Sequence, residues 1–406
     1  MHDSRPRPFP PLSFTLRGFY FLAFFGLGVY GPYLSIFLDS RGLSEAEVGT
    51  VWALMPLGAV LAPPLWGMVA DKFRNRKVLI FCLSAAGGWL FSGLLAAETF
   101  PVLAAVVFTF SAFRTSTLPL VESATLEHLD RIKNERPEPD PEGAVRERNR
   151  PAAYGGFRLW GSVGFITASL FIGYLVDAFS IRAMVYVFLA AAGIQALLAL
   201  TLPSEEKRGG TRARLGPEIA ALLKRPQFVA FLAAGFFLRT SHGALWTFLP
   251  IHMKTLGLPG WVIGWSFSVG VAAEVVFLMF SEKLLERWGT RTLLLMSAGA
   301  AAIRWSLYPF AQGPWAFLSI SLLHAFTFAA FHVASVGFVY GNTPPSLKSS
   351  GQALFSASTY GAGGIAGAAL AGTFFHSLGI DGLFFASSAV ALVSFAIYWT
   401  ALPRRG

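Results

Sequence analysis

Long stretches without a charged side chain are the strongest constraint on how this chain folds. Five of them cover residues 18–38, 48–70, 78–97, 183–204 and 382–403. Each has about the 20 residues that an α-helix needs to cross the hydrocarbon core of a bilayer. Charged residues make up only 13% of the chain, against about 25% in soluble domains. The sequence therefore predicts an all-α integral membrane protein rather than a series of soluble domains.

The charged clusters between the apolar stretches divide the chain into twelve predicted transmembrane helices. Their expected positions are residues 12–38, 46–70, 77–97, 101–126, 152–176, 182–202, 226–253, 259–285, 291–311, 315–341, 349–375 and 381–402. With the N-terminus in the cytoplasm, the cytoplasmic loops and tails hold 25 of the 32 Lys and Arg residues. The positive-inside rule describes this asymmetry. We therefore expect both termini to be cytoplasmic, and the net charge of +10 to set topology rather than to bind nucleic acid.

A polar linker near the middle of the chain, residues 203–225, separates six predicted helices from six others. We expect residues 1–202 to form an N-terminal six-helix bundle and residues 226–406 to form a related C-terminal bundle. A second polar segment, residues 129–150, contains the run ERPEPDPEG. Its composition predicts a mobile cytoplasmic loop between helices 4 and 5.

The sequence has few of the patterns that indicate disulfides, metals or catalysis. Its one cysteine, Cys82, lies inside an apolar stretch, so an internal disulfide is impossible. We find no zinc-ligand spacing, no nucleophile elbow and no glycine loop of the kind that binds phosphate. We therefore expect no enzymatic activity, no metal and no cofactor.

A charged motif recurs between helices 2 and 3 and between helices 8 and 9. The first copy reads GMVADKFRNRK over residues 67–77, and the second reads ERWGTR over residues 286–291. Gly67 allows a close approach of the backbone to a neighbour. Asp71 is suited to interact with the positive end of an adjacent helix, while bases such as Arg76 hold the loop at the cytoplasmic side. We interpret Gly67, Asp71 and Arg76 as parts of a gating loop.

The six-plus-six pattern with its G-x-x-x-D-K-x-x-x-R-K loop resembles the major facilitator superfamily over the whole chain. Within it, the chain is most similar to the proton symporters that include lactose permease, nucleoside permeases and 3-phenylpropionic acid transporters. The stretches that carry the closer likeness are PLVESA around Glu122, FRLWGSVGF from Phe157, TSHGALWTFLPI from Thr240, GVAAEVV around Glu274, AIRW at Arg304, LLHAFTFAAFHVAS from Leu322 and GQALFSASTYGAGG from Gly351. The resemblance implies the major facilitator fold, transport by alternating access and a place in the bacterial inner membrane.

Six charged side chains fall inside the predicted membrane helices. Each costs roughly 2.5 to 3.5 kcal/mol at a helix centre on insertion scales, so a charge in that position indicates a partner or a function. These residues, with two titratable histidines of helices 7 and 10, are Arg114, Glu122, Arg158, Arg239, Glu274, Arg304, His242 and His324. Arg239 and His242 are three residues apart and share one face of helix 7. All eight are candidates for binding substrate or proton.

The resemblance to lactose permease implies roles for five of these residues. Glu122 and Arg158 would bind the substrate, and their similar depth in helices 4 and 5 predicts that they pair in at least one state. Glu274, Arg304 and His324 would handle substrate and proton.

Two positions depart from the lactose permease pattern. Thr327 stands where that permease has an acid on helix 10, and Phe165 stands where it has the tryptophan that stacks on sugar. The departures weaken the case for a sugar substrate. If proton coupling is retained, Glu274 or Glu122 must carry the proton.

Four embedded arginines against two glutamates leave a formal excess of about +2 in the membrane core, which predicts an anionic substrate. Arg114 or Arg239 is suited to bind a carboxylate through two parallel hydrogen bonds. Aromatic side chains are also available to stack on a ring. The aromatic candidates are Tyr33, Trp160, Phe165 and Trp246.

The favoured function is proton-coupled symport of a small organic solute across the lipid bilayer. The favoured solute is an aromatic carboxylate such as 3-phenylpropionate, and we expect the transporter to be a monomer. Symport of a nucleoside or a sugar with a proton comes next. Drug–proton antiport is a further alternative. Because such exporters usually carry a Gly-Pro pair in helix 5 and residues 161–173 contain no proline, symport is favoured.

Overall fold

The computed structural model describes residues 12–72, 75–134, 143–202 and 220–403, and within these ranges the chain forms helices and turns but no β-strand. Membrane-spanning chains favour helices because each backbone amide is hydrogen-bonded inside its own segment. The helices are α1 (Leu12–Tyr30), α2 (Leu34–Ser40), α3 (Glu45–Lys72), α4 (Arg76–Ser92), α5 (Phe100–Asn134), α6 (Gly143–Ala178), α7 (Ala183–Ala199), α8 (Pro226–Thr240), α9 (Gly243–Thr247), α10 (Leu249–Thr255), α11 (Gly260–Met279), α12 (Ser281–Leu307), α13 (Pro314–Ser321), α14 (Phe331–Asn342), α15 (Lys348–Ser356) and α16 (Gly364–Ala401).

The described ranges contain nine helical stretches that are long and apolar enough to cross a membrane, and α7 is a shorter apolar helix of the same character. The predicted all-α class is therefore confirmed. Two π-helical segments, Ala325–Ala330 and Ala357–Gly363, interrupt the later part of the chain. Such segments often lie at functional sites.

Some helix ends differ from those predicted. Helix α5 continues to Asn134 and α6 begins at Gly143, so most of the segment predicted to be a loop between residues 129 and 150 is helical; residues 135–142 lie outside the described residues. Good helix formers such as Glu, Arg and Lys explain these extensions, because charge ends a membrane span without ending a helix. Helix α11 ends at Met279 instead of continuing to residue 285. Most of the predicted linker, residues 203–219, is also outside the described residues.

Two glycines divide the long helices α12 and α16. Gly289 in α12 and Gly379 in α16 have φ values of 73° and 65°, in the left-handed region. A side chain at either position would strain the backbone, whereas glycine adopts this conformation readily. Each of the two helices therefore changes direction at its glycine.

The helices of residues 12–202 and those of residues 220–403 form two groups that meet along two pairs. Helix α6 packs against α11, and α3 packs against α16. Small residues permit close approach at the second pair, since a Cβ atom added to Gly49 would lie 2.6 Å from the Cα atom of Gly372.

One end of the molecule, called the closed end, is held by polar contacts between the two groups of helices. The Asp177 carboxylate of α6 accepts hydrogen bonds from the backbone N–H groups of Gly260 and Trp261, at 2.6 and 3.0 Å. It thereby satisfies two of the unpaired N–H groups at the start of α11. Lys254 forms an ion pair of 3.0 Å with Asp39 nearby. These contacts close the space between the groups at this end.

Candidate functional site

A cavity of about 350 Å³ lies between the two groups of helices, and both groups contribute to its wall. This central cavity is lined by α1, α3, α5 and α6 of the first group, by α8, α9, α11 and α16 of the second group, and by residues in or beside both π-helical segments. Its charged and histidine side chains are Arg158, Arg239, His242, Glu274 and His324. Five of the charged and histidine candidates therefore line one cavity.

One group of polar residues consists of Glu274 of α11 and His324 before the first π-helical segment, which line the cavity, and Arg304 of α12 beside it. The Nε2 atom of His324 lies 3.7 Å from Oε2 of Glu274. The other ring nitrogen, Nδ1, lies 3.1 Å from Nη1 of Arg304. Glu274 and Arg304 are both buried. The three side chains thus form a connected row in which the histidine is the middle member.

The hydrogen-bond chemistry of this row determines the tautomer of His324. A guanidinium has donors only, so Nδ1 of His324 accepts the hydrogen bond from Arg304. The neutral ring then carries its hydrogen on Nε2, which faces Glu274. A second proton on His324 would have to occupy Nδ1 and would break the bond to Arg304. Glu274 is consequently the member of the row whose protonation can change without disrupting the others.

Arg304 is well supplied with partners of its own. Besides His324, its Nη1 atom donates to Oγ1 of Thr327 at 3.0 Å, and its Nε atom donates to the hydroxyl of Tyr308 at 3.3 Å. Thr327 belongs to the first π-helical segment and is buried. The threonine that replaces an acid in the lactose permease pattern therefore still accepts a hydrogen bond from the arginine, but brings no charge to it.

A second group of polar residues in the cavity wall contains Arg239 near the end of α8 and Tyr360 in the second π-helical segment. The guanidinium carbon of Arg239 lies 5.8 Å from the centre of the Tyr360 ring. The Nε atom of Arg239 and the hydroxyl of Tyr360 are each buried without a hydrogen-bond partner. His242, one turn further, donates from Nδ1 to the carbonyl of Leu238 at 2.7 Å. This second group therefore contains two polar atoms, Nε of Arg239 and the hydroxyl of Tyr360, that have no hydrogen-bond partner in the protein.

Arg158 and Glu122 are not paired in this structure. The guanidinium carbon of Arg158 lies 3.9 Å from the ring centre of Phe24, a cation–π distance. The Glu122 carboxylate instead accepts a hydrogen bond of 3.1 Å from the hydroxyl of Tyr154. Arg158 lines the central cavity, whereas Glu122 does not. The expectation that the two side chains pair in another state stays a prediction.

Arg114 also lies outside the wall of the central cavity. Its Nη2 atom donates a hydrogen bond to the carbonyl oxygen of Ala23 on α1. The side chain is thereby directed between α1 and α5 rather than toward the space beside Glu274. Of the two arginines expected to take a carboxylate, only Arg239 reaches the cavity.

The aromatic candidates also divide into residues that line the cavity and residues that do not. Phe165 and Trp246 line the cavity. Tyr33 is buried at the closed end, where its hydroxyl donates to the carbonyl of Ser169 at 2.7 Å, and Trp160 is 43% exposed on the outside of α6. These two side chains are therefore unavailable to a ligand in the cavity, contrary to the sequence-based expectation.

Tyr360 and Trp52 line the cavity but were not among the predicted site residues. Trp52 packs 6.1 Å from Trp246 between ring centres and extends the aromatic wall. Tyr360 occurs in the glycine-rich run ASTYGAG, which indicates close helix packing. The signal in the sequence that could have identified Tyr360 was its single large polar ring among small residues.

The predicted gating loop lies away from the cavity. Gly67 is in the last turns of α3, and the side chain of Asp71 lies outside the described residues. Nη1 of Arg76, at the start of α4, lies 3.1 and 3.0 Å from the two carboxylate oxygens of Glu127. The loop is thus connected to α5. In the second copy of the motif, Arg291 donates to the carbonyls of Leu402 and Trp399 near the end of α16.

Comparison with known proteins identifies the family. A model of the MFS_1 like family matches residues 13–386. The chain belongs to that family. The match covers far more than half of the chain, and it confirms the resemblance to the major facilitator superfamily.

Relatives of this MFS_1 like chain are membrane transporters. It is 26% identical over 345 residues to the uncharacterized transporter YwbF of Bacillus subtilis, covering 84% of this chain and 82% of that one. It is 27% identical over 380 residues to the probable 3-phenylpropionic acid transporter of Escherichia coli, covering 92% and 93%. The crystal structure of the nucleoside transporter NupG matches with a TM-score of 0.82 and 19% identity, over 98% of this chain and 100% of that one. The chain is a multi-pass membrane protein related to transporters of small molecules.

Proposed function

We propose that this chain is a secondary active transporter of the bacterial inner membrane that couples movement of a small organic anion to movement of protons. The observation that carries the proposal is the central cavity, because its wall combines Arg158 and Arg239 with Glu274 and His324. Arg304, beside the cavity, is hydrogen-bonded to His324 and completes the titratable row. Charges at this depth are costly in a membrane, and substrate and ion pathways are the usual reason for keeping them.

Twelve membrane spans with both termini in the cytoplasm fit this proposal. The nine candidate spans become twelve when α7 is counted, when the part of α12 after Gly289 is counted, and when the stretch Lys348–Ala401 is divided at Gly379. The positive-inside distribution of Lys and Arg supports the orientation. Residues 1–202 and 226–406 then form the two six-helix bundles of a monomer, with 203–225 as the linker.

Alternating access supplies a role for the contacts outside the cavity. In the proposed orientation the closed end faces the periplasm, so the contacts of Asp177 with α11 and of Lys254 with Asp39 must break before the cavity opens outward. The loop with Gly67, Asp71 and Arg76 lies at the cytoplasmic end and is the proposed gate there.

Glu274 is the proposed proton carrier. Protonation of His324 would cost the hydrogen bond from Arg304, whereas protonation of Glu274 leaves that bond in place. Glu122, the other carboxyl considered, is hydrogen-bonded to Tyr154 away from the cavity wall. Protonation of a single carboxyl beside the binding site changes the charge that the solute meets there. This change is sufficient to couple proton binding to solute binding.

The charge of the cavity wall favours an anionic solute. The cavity wall contains two arginines, Arg158 and Arg239, and one carboxylate, Glu274, so it has an excess of positive charge. This excess grows when Glu274 is protonated. The volume of about 350 Å³ is near the lower end of the range for ligand sites, roughly 300 to 1,000 Å³. A solute with one ring and one carboxylate, such as 3-phenylpropionate, suits both properties, and the relative named for that acid supports the choice.

Uptake into proteoliposomes tests the proposal. Purified protein should accumulate labelled 3-phenylpropionate when the lumen is made alkaline relative to the outside, and a protonophore should abolish the accumulation. Unlabelled aromatic acids should compete, while nucleosides and maltose should not. Accumulation that ignores the protonophore would refute proton coupling. Competition by nucleosides alone would refute the anionic substrate and favour nucleoside symport; the structural neighbour is named as a nucleoside transporter.

A further inference from the structure

We infer that Arg239 and Tyr360 together bind the carboxylate of the transported solute, an inference that rests on the proposed function. The two residues lie on different helical segments, α8 and the π-helical Ala357–Gly363, and face the same cavity. Both present a buried polar atom without a protein partner: Nε of Arg239 and the hydroxyl of Tyr360. Buried polar groups are nearly always hydrogen-bonded, so two adjacent exceptions indicate a ligand.

The other embedded arginines are engaged elsewhere. Arg304 donates to His324, Thr327 and Tyr308. Arg114 donates to a carbonyl of α1, outside the cavity wall. Arg158 lies over the face of Phe24. Arg158 and Arg239 both line the cavity, and of these four arginines in the described chain Arg239 is the one with a buried guanidinium nitrogen that lacks a partner. A guanidinium binds a carboxylate through parallel hydrogen bonds.

The glycines opposite Arg239 give its side chain the room to lie in this place. A Cβ atom on Gly363 would lie 3.0 Å from Cβ of Arg239, and one on Gly364 would lie 3.9 Å from its Nε atom. The stem of the arginine thus packs along the glycine-rich segment that carries Tyr360. The same run of small residues therefore positions both members of the site.

The position of the aromatic wall suggests how the rest of the solute is held. Trp246 lies on α9, seven residues after Arg239 on α8. Both line the cavity. A carboxylate at Arg239 and a ring near Trp246 and Phe165 leave space for a short aliphatic spacer between them. The site thus selects a ring acid with a flexible link over an uncharged analogue of the same shape.

Binding of matched ligands to the purified protein tests this inference. Isothermal titration with 3-phenylpropionate and its neutral analogue 3-phenylpropanamide measures the preference for a carboxylate. Hydrogen bonds to a charged group correspond to a loss on the order of 10- to 100-fold when they are removed. Arg239→Gln should weaken acid binding by that factor and change amide binding by less than about threefold, and Tyr360→Phe should weaken acid binding by about 5- to 10-fold.

Tyr398→Phe is the matched control, because the hydroxyl of Tyr398 is also buried without a partner but does not line the cavity. It should leave both affinities unchanged. If Arg239→Gln and Tyr360→Phe keep the preference for the acid, or Arg158→Gln alone removes it, the assignment is wrong although proton-coupled transport of the acid stands. If the unmodified protein binds nucleosides and neither phenyl compound, the proposed substrate class fails together with the assignment.

Discussion

Two arginines of the second group of helices, Arg239 in the wall of the central cavity and Arg304 beside that cavity, have opposite surroundings. Arg304 has three hydrogen-bond partners, namely His324, Thr327 and Tyr308. Arg239 lies against the ring of Tyr360 and has a buried Nε atom without a partner. The first arginine is part of the protein's own hydrogen-bond network. The second has capacity left for a ligand.

The contrast separates two tasks that share one cavity. Arg304 uses three of its five N–H donors on protein groups, which orients His324 and leaves the arginine less capacity for a solute. A guanidinium with free donors destabilises the empty protein and gains its partner when the anion arrives. We therefore expect replacements at the two positions to change stability in opposite directions.

The largest effect is expected from Arg304→Gln. The change leaves the buried Thr327 hydroxyl and Nδ1 of His324 without their donor, at a cost of about 3 kcal/mol in the free energy of unfolding. It should lower the apparent melting temperature and abolish proton-driven uptake. Thermal unfolding in detergent and uptake into proteoliposomes measure the two effects. An unchanged melting temperature would show that the network is not structural.

Thr327→Val should have the next largest effect. Valine keeps the shape of threonine but removes the Oγ1 atom that accepts from Arg304 at 3.0 Å, and the expected loss of stability is about 1.5 kcal/mol. Thr327→Ser, which keeps the hydroxyl, is the control and should lose less. Equal melting temperatures for the two variants would contradict the role of the hydroxyl.

Arg239→Gln should act in the other direction. Removing a partly buried and unpaired charge should stabilise the ligand-free protein by about 1 kcal/mol, although stabilisation by added 3-phenylpropionate should disappear. Melting curves with and without the acid reveal both changes. A variant less stable than the parent would mean that Arg239 has a structural partner, and the contrast between the two arginines would fail.

The smallest effect is expected from Tyr308→Phe. The hydroxyl accepts from Nε of Arg304 over a long distance of 3.3 Å, so its loss should cost about 0.5 kcal/mol and reduce uptake only slightly. The remaining bonds to His324 and Thr327 keep the guanidinium in place. A loss as large as that of Arg304→Gln would mean that Tyr308, rather than Thr327, is the principal anchor.

Much of the fold could be predicted from the sequence because the bilayer constrains it strongly. Uncharged runs such as residues 183–204 show where a helix can cross, and the all-α class follows from the backbone's need for internal hydrogen bonds. The ends of α5 and α6 could not be predicted in the same way. Charge marks where a helix leaves the membrane, but a helix rich in Glu, Arg and Lys continues into water.

The candidate site was accessible to sequence reasoning only in part. The cost of inserting a charge identified Arg239, Glu274 and Arg304 as functional candidates, and the structure brings them to one cavity or directly beside it. The insertion cost could not indicate that Arg114 donates a hydrogen bond to the backbone of α1, because the partner of a side chain depends on how the neighbouring helices are rotated. Tyr360 was missed because an uncharged ring in a glycine-rich run has no insertion cost to draw attention to it.

The central claim is that Glu274 carries the proton while Arg239 and Tyr360 hold the anion, and Glu274→Gln tests it most directly. Proteoliposomes containing this variant should exchange internal for external 3-phenylpropionate at a rate within about tenfold of the parent, because a neutral side chain imitates the protonated carboxyl. They should not accumulate the acid when the lumen is made alkaline. Accumulation by the variant at the level of the parent protein would contradict the claim.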